Sequence, residues 1–266
     1  MDLREPYEGA VCVVTGATSG NGEAVARELV RLGAEVHVLG RNIKKLREWE
    51  GLARAHQVNL ADMEDLGTTL GHLPNRVDFI FHLAGNAAVG RLSEEQVHRL
   101  WRSDYTGPIQ LIEHLIPRMS PGGKVGIVTS ASVALGSLPE ITHYQAVKRE
   151  MFHWWRRNQE WAEDTFKVNL TLISMGAINT SIWDRAEGMS RVTAGVVKLI
   201  IPGPRHYAKQ ILEDVALGKP VSYPGVGASL APIVNGEYQP HPWVKRAATW
   251  GTKTWFQMFP AKEVKP

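Results

Sequence analysis

The chain has 266 residues, of which 44% are hydrophobic and 21% are charged, and its formal net charge is +3. This length and composition suit one α/β domain with a substantial core. The lysines and arginines form no run comparable to a nucleic-acid-binding arm, which argues against a nucleic-acid partner. The single cysteine, Cys12, excludes an internal disulfide, and its apolar neighbours predict a buried core thiol.

Short apolar runs alternate with longer amphipathic segments over the first 180 or so residues. The runs are residues 10–16, 34–40, 55–61, 77–85, 124–132 and 167–176, each paired with a helix candidate, the first from about Gly20 to Leu32. Strands that are apolar on both faces and separated by helix-length segments indicate a parallel sheet covered on both sides. Because parallel crossovers are right-handed, the predicted fold is α/β, a Rossmann-like doubly wound parallel sheet in a single domain.

The alternation weakens after about residue 181. Segment 181–206 has mixed polarity with Gly and Pro punctuation, and its position suggests a substrate lid at the carboxyl ends of the strands. Residues 205–225 then predict a helix followed by a short strand. We expect one Rossmann-fold domain over residues 1–240 that includes this lid.

A tryptophan-rich tail follows at residues 241–266. Trp243, Trp250 and Trp255 stand there among basic residues. Two interpretations remain open: the tryptophans dock on the domain or on a dimer partner, or the tail makes a peripheral contact with a membrane surface.

The stretch TGATSGNG, residues 15–22, follows the first predicted strand and opens the first predicted helix. Its glycines permit a tight turn, a close approach of the backbone to a diphosphate and close packing of helix on strand. The start of the helix adds free N–H groups and the positive end of its dipole. We therefore predict a dinucleotide-phosphate site formed by Thr15, Gly16, Thr18, Ser19, Gly20, Asn21 and Gly22.

The end of the second predicted strand bears on the choice of cofactor. An acidic residue there would bind the ribose 2′-hydroxyl, whereas an arginine suits a 2′-phosphate. Gly40 stands where the acid would be, and Arg41 follows it. This pattern predicts NADP(H), and the competing interpretation is that Arg41 is a solvated residue that opens the next helix.

The stretch THYQAVKRE, residues 142–150, places a tyrosine four residues before a lysine. On a helix, Tyr144 and Lys148 would lie one turn apart on the same side. An ammonium held beside a phenol favours the phenolate form. The same spacing also occurs on solvated helix faces, so the pair alone leaves both interpretations open.

Three motifs, in this order and spacing, resemble those of the short-chain dehydrogenase/reductase family over roughly residues 8–224. The loop fits T-G-x-x-x-G-x-G, YQAVK fits Y-x-x-x-K, and SASVALG is similar to the serine segment. The resemblance implies an enzyme that transfers a hydride between a nicotinamide cofactor and a ketone or secondary alcohol, and Arg41 makes NADP(H) the predicted cofactor. The resemblance also implies a homo-oligomer.

The resemblance assigns roles to individual residues. Tyr144 would be the general acid and base, and Lys148 would promote its ionisation and bind the nicotinamide ribose. Ser132 would hydrogen-bond the reacting oxygen, with Ser130 as the alternative. The remaining residues implied to bind the cofactor are Asn59, Leu60, Ala84, Gly85, Ile178 and Thr180.

Several positions depart from the family's pattern. Asp104, in SDYTG, replaces an asparagine that completes a proton relay, and its carboxylate would bring negative charge toward Lys148; we include it among the catalytic residues. His82 and Leu83 replace two asparagines and cannot make their contacts. Met175 replaces a proline, which is expected to loosen a turn.

The predicted function is thus an NADP-dependent carbonyl reductase or alcohol dehydrogenase acting on a small, apolar molecule, with no metal. Two alternatives keep the fold: a nucleotide-binding sensor or scaffold that has lost the reaction, and a redox-neutral epimerase that uses the same site. The start of the chain, MDLREPYEGA, has no apolar segment of the signal-peptide kind. Together with the lone cysteine, this favours a cytoplasmic protein.

Overall fold

Seven parallel strands form the central sheet of the computed structural model, which describes residues 2–86, 88–135, 141–178, 202–230, 232–234 and 237–239. The strands are β1 (Val11–Thr15), β2 (Glu35–Gly40), β3 (Arg54–Gln57), β4 (Val77–His82), β5 (Met119–Ser130), β6 (Asn169–Met175) and β7 (Val221–Ser222). Their order is β3-β2-β1-β4-β5-β6-β7. The predicted doubly wound parallel sheet is confirmed, and its strand order reverses between β1 and β4, the place where such sheets bind ligands.

Helices connect the strands. They are α1 (Arg4–Tyr7), α2 (Gly20–Arg31), α3 (Ile43–Leu46), α4 (Met63–Leu70), α5 (Glu94–Trp101), α6 (Gly107–Leu115), α7 (Thr142–Phe166) and α8 (Pro204–Ala216). A π-helical turn, Arg102–Thr106, joins α5 to α6, and a short antiparallel pair, β8 (Ile233–Val234) and β9 (Glu237–Tyr238), follows the sheet. The predicted helix and short strand of residues 205–225 correspond to α8 and β7.

The two faces of the sheet bury separate cores. One core lies under α4, α6 and α7 and includes Val13, Ile80, Val125 and Leu172 from the strands; the other lies under α2 and α8 and includes Cys12, Val14, Phe81 and Ile173. Successive strand residues therefore alternate between the two cores, as the period of a strand requires. Cys12 is fully buried, which confirms the predicted core thiol.

Some boundaries differ from the predicted ones. Strand β3 ends at Gln57 rather than near residue 61. Helix α4 begins after Asp62, whose side chain accepts hydrogen bonds from Glu64 N–H and Asp65 N–H. Most of the predicted lid, residues 181–201, and the tail, residues 241–266, lie outside the described residues. The last residues of segment 181–206 belong to α8. Among the described residues, no helix has both the length and the apolar character needed to cross a membrane.

Truncating the core beneath α6 should destabilise the fold. Leu111 is 0% exposed, so Leu111→Ala leaves a cavity and should lower the free energy of unfolding by about 2–5 kcal/mol in urea denaturation. Leu52→Ala is the matched control, since Leu52 is 51% exposed and should change that energy by less than about 0.5 kcal/mol. Equal losses in the two variants would contradict this assignment of the core.

Candidate active site

The predicted phosphate loop connects β1 to α2 and lies directly against the loop that follows β4. Gly16 has a φ of 73°, and a Cβ at that position would come within 2.8 Å of Ala84 Cα. Only glycine satisfies both the backbone angle and this contact. The loop thus leaves the first turn of α2 facing a cleft, where unpaired N–H groups can bind a diphosphate. These residues fit a dinucleotide cofactor.

The cleft gathers most of the predicted cofactor-binding residues. Those that line it are Thr15, Gly16, Thr18, Ser19, Gly20, Asn21, Arg41, Asn59, Leu60, Ala84 and Gly85. Gly22 packs behind them, where a Cβ would come within 2.5 Å of Gly16 C. Tyr144, Lys148 and Ile178 are not part of this lining, and Thr180 lies outside the described residues.

Arg41 lies at the mouth of the cleft, after β2. Its side chain is exposed, and its Nη2 donates a hydrogen bond to Asn86 Oδ1 at 3.1 Å. A Cβ on Gly40 would collide with the Thr18 side-chain methyl, so Thr18 occupies the place where an acidic side chain would start. The strand end therefore presents a cation and no carboxylate.

Tyr144 and Lys148 both lie on α7, as predicted. Lys148 is buried, Tyr144 is half-buried, and Lys148 Nζ lies 5.8 Å from the centroid of the Tyr144 ring. His143, the neighbour of Tyr144 in the sequence, is exposed. The ammonium is thus close enough to act electrostatically on the phenol.

The candidate serines lie at the carboxyl end of β5: Ser130 is its last residue, and Ser132 lies in the helical turn that follows. Ser130 Oγ and Ser132 Oγ are 2.9 Å apart, and Ser130 is the more buried of the two. Two contacts hold this strand end on α7: Thr129 Oγ1 donates to Lys148 O at 2.8 Å, and Gln145 Nε2 donates to Ser132 O at 2.7 Å. Since the hydroxyls are in contact, the choice between Ser132 and Ser130 stays a prediction.

Asp104 contacts Lys148 directly. Asp104 Oδ2 lies 3.1 Å from Lys148 Nζ, and the two side chains are 0% and 3% exposed. The carboxylate comes from the π-helical turn, a type of irregularity that is frequent at functional sites. The prediction that Asp104 brings negative charge to Lys148 is confirmed as a contact, and a catalytic role for Asp104 remains a prediction.

Three further donors bind the Asp104 carboxylate. Asn86 N–H donates to Oδ2 at 2.9 Å, Asn86 Nδ2 donates to Oδ1 at 2.8 Å, and Ser103 Oγ donates to Oδ1 at 2.8 Å. A buried carboxylate requires such partners, because each unpaired oxygen would cost free energy. Asp104 is therefore held in place independently of Lys148.

The ion pair keeps the buried lysine charged. Burial alone lowers the pKa of Lys148, but the Asp104 carboxylate and Tyr144 more than offset it, and the pKa lies above its usual value of 10.5. Gly85 makes room for the pair, since a Cβ there would come within 3.2 Å of Lys148 Nζ and 3.4 Å of Asp104 Oδ2. Lys148 is thus a permanent cation beside Tyr144 at neutral pH.

His82 replaces the family's asparagine with a different contact. Thr15 Oγ1 accepts hydrogen bonds from Leu83 N–H and Ala84 N–H, so its own hydrogen is donated to His82 Nδ1, 2.9 Å away. This places the imidazole proton on Nε2. Burial, with a contribution from Lys148, lowers the pKa of His82 to about 3, so the ring is neutral.

The predicted nicotinamide and adenine ends have different surroundings. Ile178 is buried, and Met175, the last residue of β6, contacts the Asn21 amide at 3.8 Å through its sulfur. The N–H groups of Gly176 and Ala177 donate to Pro224 O and Val226 O, which ties the turn after Met175 to the segment that follows β7. At the adenine end, Asn59 Oδ1 accepts from Ala61 N–H, which fixes that side chain in the cleft lining.

Two residues of the site were missing from the sequence prediction. Asn86 and Ser103 both line the cleft and both bind Asp104. The available signals were weak: Asn86 directly follows HLAG, and Ser103 directly precedes Asp104. Among the described residues, no group of three or more His, Cys, Asp or Glu side chains could hold a metal ion.

The fold and site agree with a known family. A family profile described as short chain dehydrogenase matches residues 10–190, about two thirds of the chain. The chain therefore belongs to the short-chain dehydrogenase family, and its nucleotide-binding Rossmann fold is that of this family.

Individual relatives are moderately similar. Dehydrogenase/reductase SDR family member 7B of Mus musculus is 31% identical over 194 residues, covering 65% of this chain and 59% of that protein. A fatty acyl-CoA reductase of Acinetobacter baylyi is 28% identical over 161 residues, covering 54% of this chain and 53% of that protein. The chain spans about three fifths of the length of the member 7B proteins that it matches.

Solved structures share the fold. A short chain dehydrogenase/reductase from Burkholderia phymatum, in complex with NAD, has a TM-score of 0.71 at 20% identity and covers 82% of this chain and 89% of that one. A dehydrogenase/reductase from Sinorhizobium meliloti has a TM-score of 0.68 at 18% identity, with 82% and 91% covered. At these identities the likeness concerns the fold.

Removing the charge of Asp104 should destabilise the protein in a pH-dependent way. Because the pKa of Lys148 is raised in the folded state, the ion pair stabilises the fold fully below pH 10.5 and is lost as the pH rises through the folded-state value. Asp104→Asn leaves the buried ammonium without its counter-ion and should cost about 3 kcal/mol at pH 7. Urea denaturation at pH 7 and above pH 10.5 measures the difference, which should shrink at the higher pH. A difference that does not vary with pH would show that the charge is not what stabilises the pair.

Proposed function

We propose that this chain is an NADP(H)-dependent oxidoreductase that transfers a hydride between nicotinamide and a ketone or secondary alcohol. The observation that carries the proposal is that the charged Lys148 lies beside Tyr144 on α7 and against Gly85, which lines the cleft that has Arg41 at its mouth. The strand end that carries the paired serine hydroxyls is hydrogen-bonded to the same part of α7. When bound, the nicotinamide supplies or accepts the hydride.

The side chains of the site divide the remaining chemistry among them. The Tyr144 hydroxyl gives a proton to the reacting oxygen in reduction and takes it back in oxidation. Ser132 or Ser130 donates a hydrogen bond to that oxygen as negative charge develops on it. Lys148, kept charged by Asp104, stabilises the phenolate that forms when Tyr144 gives up its proton.

Arg41 supports the phosphorylated form of the cofactor. Guanidinium groups bind phosphate through charge-assisted hydrogen bonds, and Gly40 with Thr18 leaves no carboxylate to repel it. The Burkholderia phymatum structure contains NAD, and that observation concerns that protein. The cation at the end of β2 is the feature of this chain that favours NADP(H).

The remaining elements of the proposal concern substrate, assembly and location. The aliphatic and aromatic content of segment 181–206 favours an apolar substrate, and a relative named as a fatty acyl-CoA reductase is in keeping with this. We further propose a cytoplasmic homo-oligomer, with the tryptophan-rich tail as an anchor or a peripheral membrane contact.

The activity is tested by NADPH consumption over a panel of ketones and aldehydes, with NADH for comparison. Oxidoreductase function requires turnover of at least one carbonyl compound. Tight NADPH binding without turnover of any of them would favour the sensor or scaffold alternative.

Tyr144→Phe should abolish most of the turnover and leave NADPH binding within a few-fold of wild type. The substitution removes the proton donor and little binding surface, and we expect the rate to fall at least about a hundredfold. Tyr207→Phe is the control, because Tyr207 is a half-buried tyrosine on α8 and is not part of the cleft lining. A near-normal rate in Tyr144→Phe would rule out the proposed role.

NADPH should bind more tightly than NADH, and Arg41→Ala should remove the preference. Loss of one charge-assisted hydrogen bond weakens NADPH binding by about tenfold or more and leaves NADH unaffected, as measured by nicotinamide fluorescence titration. Lys44→Ala serves as the control for net charge, since Lys44 is exposed on the neighbouring α3. Equal affinities of the wild-type protein for the two cofactors would refute the preference.

Reversing the preference for NADPH over NADH needs two further substitutions besides Arg41→Ala. Gly40→Asp alone should destabilise the protein, because its Cβ meets the Thr18 methyl. Thr18→Ser removes that methyl, so the triple variant with Arg41→Ala, Gly40→Asp and Thr18→Ser should bind NADH more tightly than NADPH.

A further inference from the structure

Asn86 connects the two ends of the cleft. On one side its Oδ1 accepts a hydrogen bond from Arg41 Nη2 at 3.1 Å. On the other side its Nδ2 and its backbone N–H donate to Asp104, at 2.8 and 2.9 Å. Asp104 in turn contacts Lys148 at 3.1 Å. A continuous chain of contacts therefore runs from the mouth of the cleft to the buried lysine.

The charged groups on either side of Asn86 in this series of contacts, Arg41 and Asp104, orient its side-chain amide. A carboxylate accepts only, and a guanidinium donates only, so Asn86 must point its NH₂ toward Asp104 and its oxygen toward Arg41. The carboxylate polarises the amide and makes its oxygen a stronger acceptor for Arg41. Asp104 thus strengthens the contact to Arg41 without touching it.

The hydrogen bond to Asn86 restrains the side chain of Arg41 before a ligand binds. Arg41 has an exposed, long side chain, and such a side chain gives up rotamer freedom when it binds a ligand. Asn86 occupies one of its five N–H donors and holds the guanidinium at the cleft, leaving the other donors for a ligand. Holding it there before binding reduces the entropy lost on binding.

We propose that Asn86 is a positioning residue that sets cofactor selection by coupling Arg41 to the buried Asp104–Lys148 pair. The proposal rests on the proposed NADP(H) function, because the ligand that Arg41 is positioned to bind is the 2′-phosphate. Asp104 is buried and is not part of the cleft lining, yet its substitution should change how well the protein distinguishes NADPH from NADH.

The measured quantity is the ratio of the dissociation constants of NADH and NADPH, determined by fluorescence titration. Asn86→Ala should lower this ratio about fivefold, the net size of an ordinary hydrogen bond, because Arg41 stays in place and loses only the contact that positions it. Asp104→Asn should lower it about threefold. Asn59→Ala is the matched control: Asn59 lines the same cleft at the predicted adenine end, so its loss should weaken both cofactors equally and leave the ratio unchanged.

The Arg41→Ala background separates positioning from a general structural effect. If Asn86 and Asp104 act through Arg41, neither Asn86→Ala nor Asp104→Asn changes the ratio further once Arg41 is gone. If Asp104→Asn does not yield folded protein, Asn86→Ala with and without Arg41→Ala decides the matter, because three partners of Asp104 remain in that variant.

The outcomes also separate this inference from the proposed function. A wild-type ratio at or below one overturns the NADP(H) proposal and the inference together. A wild-type preference for NADPH that is unchanged in Asn86→Ala overturns the inference alone. A ratio that falls equally with and without Arg41 shows that Asn86 acts on the cleft as a whole, which also overturns it.

Discussion

The buried ammonium of Lys148 is the constraint on which the arrangement of the site depends. Moving an ion of this size out of water costs several kcal/mol even after the surroundings relax. The fold compensates with the Asp104 carboxylate, which is itself fully buried and needs donors of its own. Asn86 and Ser103 supply them, so one buried charge accounts for the identity of three neighbouring side chains.

Three strand ends bring these groups together. β1 contributes Thr15 and the phosphate loop, the loop after β4 contributes Gly85 and Asn86, and β5 ends at the paired serines. Helix α7 is bound to the end of β5 at Lys148, which places the face that carries Tyr144 and Lys148 at the same edge. The close contacts at Gly16 and Gly85 allow these loops to meet without side chains between them.

The difference between this site and the family's pattern is electrostatic. An asparagine in place of Asp104 would bring no charge, whereas Asp104 stabilises the Lys148 ammonium and draws Asn86 into an orientation that reaches Arg41. Asp104 and Asn86, which look unrelated in the sequence, are thus one hydrogen-bonded unit. His82 departs from the pattern as well, and its neutral ring is bound to Thr15.

Periodicity and motif spacing were sufficient to predict the sheet, the phosphate loop and the helix that carries Tyr144 and Lys148, because each depends on residues close together in the chain. The same local patterns placed Gly40, rather than an acidic residue, and then Arg41 at the end of the second strand, which was the basis for predicting NADP(H). For Asp104 the sequence predicted only that its negative charge would lie near Lys148. It did not predict Asn86 and Ser103 as hydrogen-bond partners. Asn86 lies 18 residues from Asp104 and 45 from Arg41. Such contacts are decided by how the loop after β4, the π-helical turn and the end of β2 pack together. No local pattern encodes that packing, so only the tertiary structure determines which polar residue satisfies the buried charge.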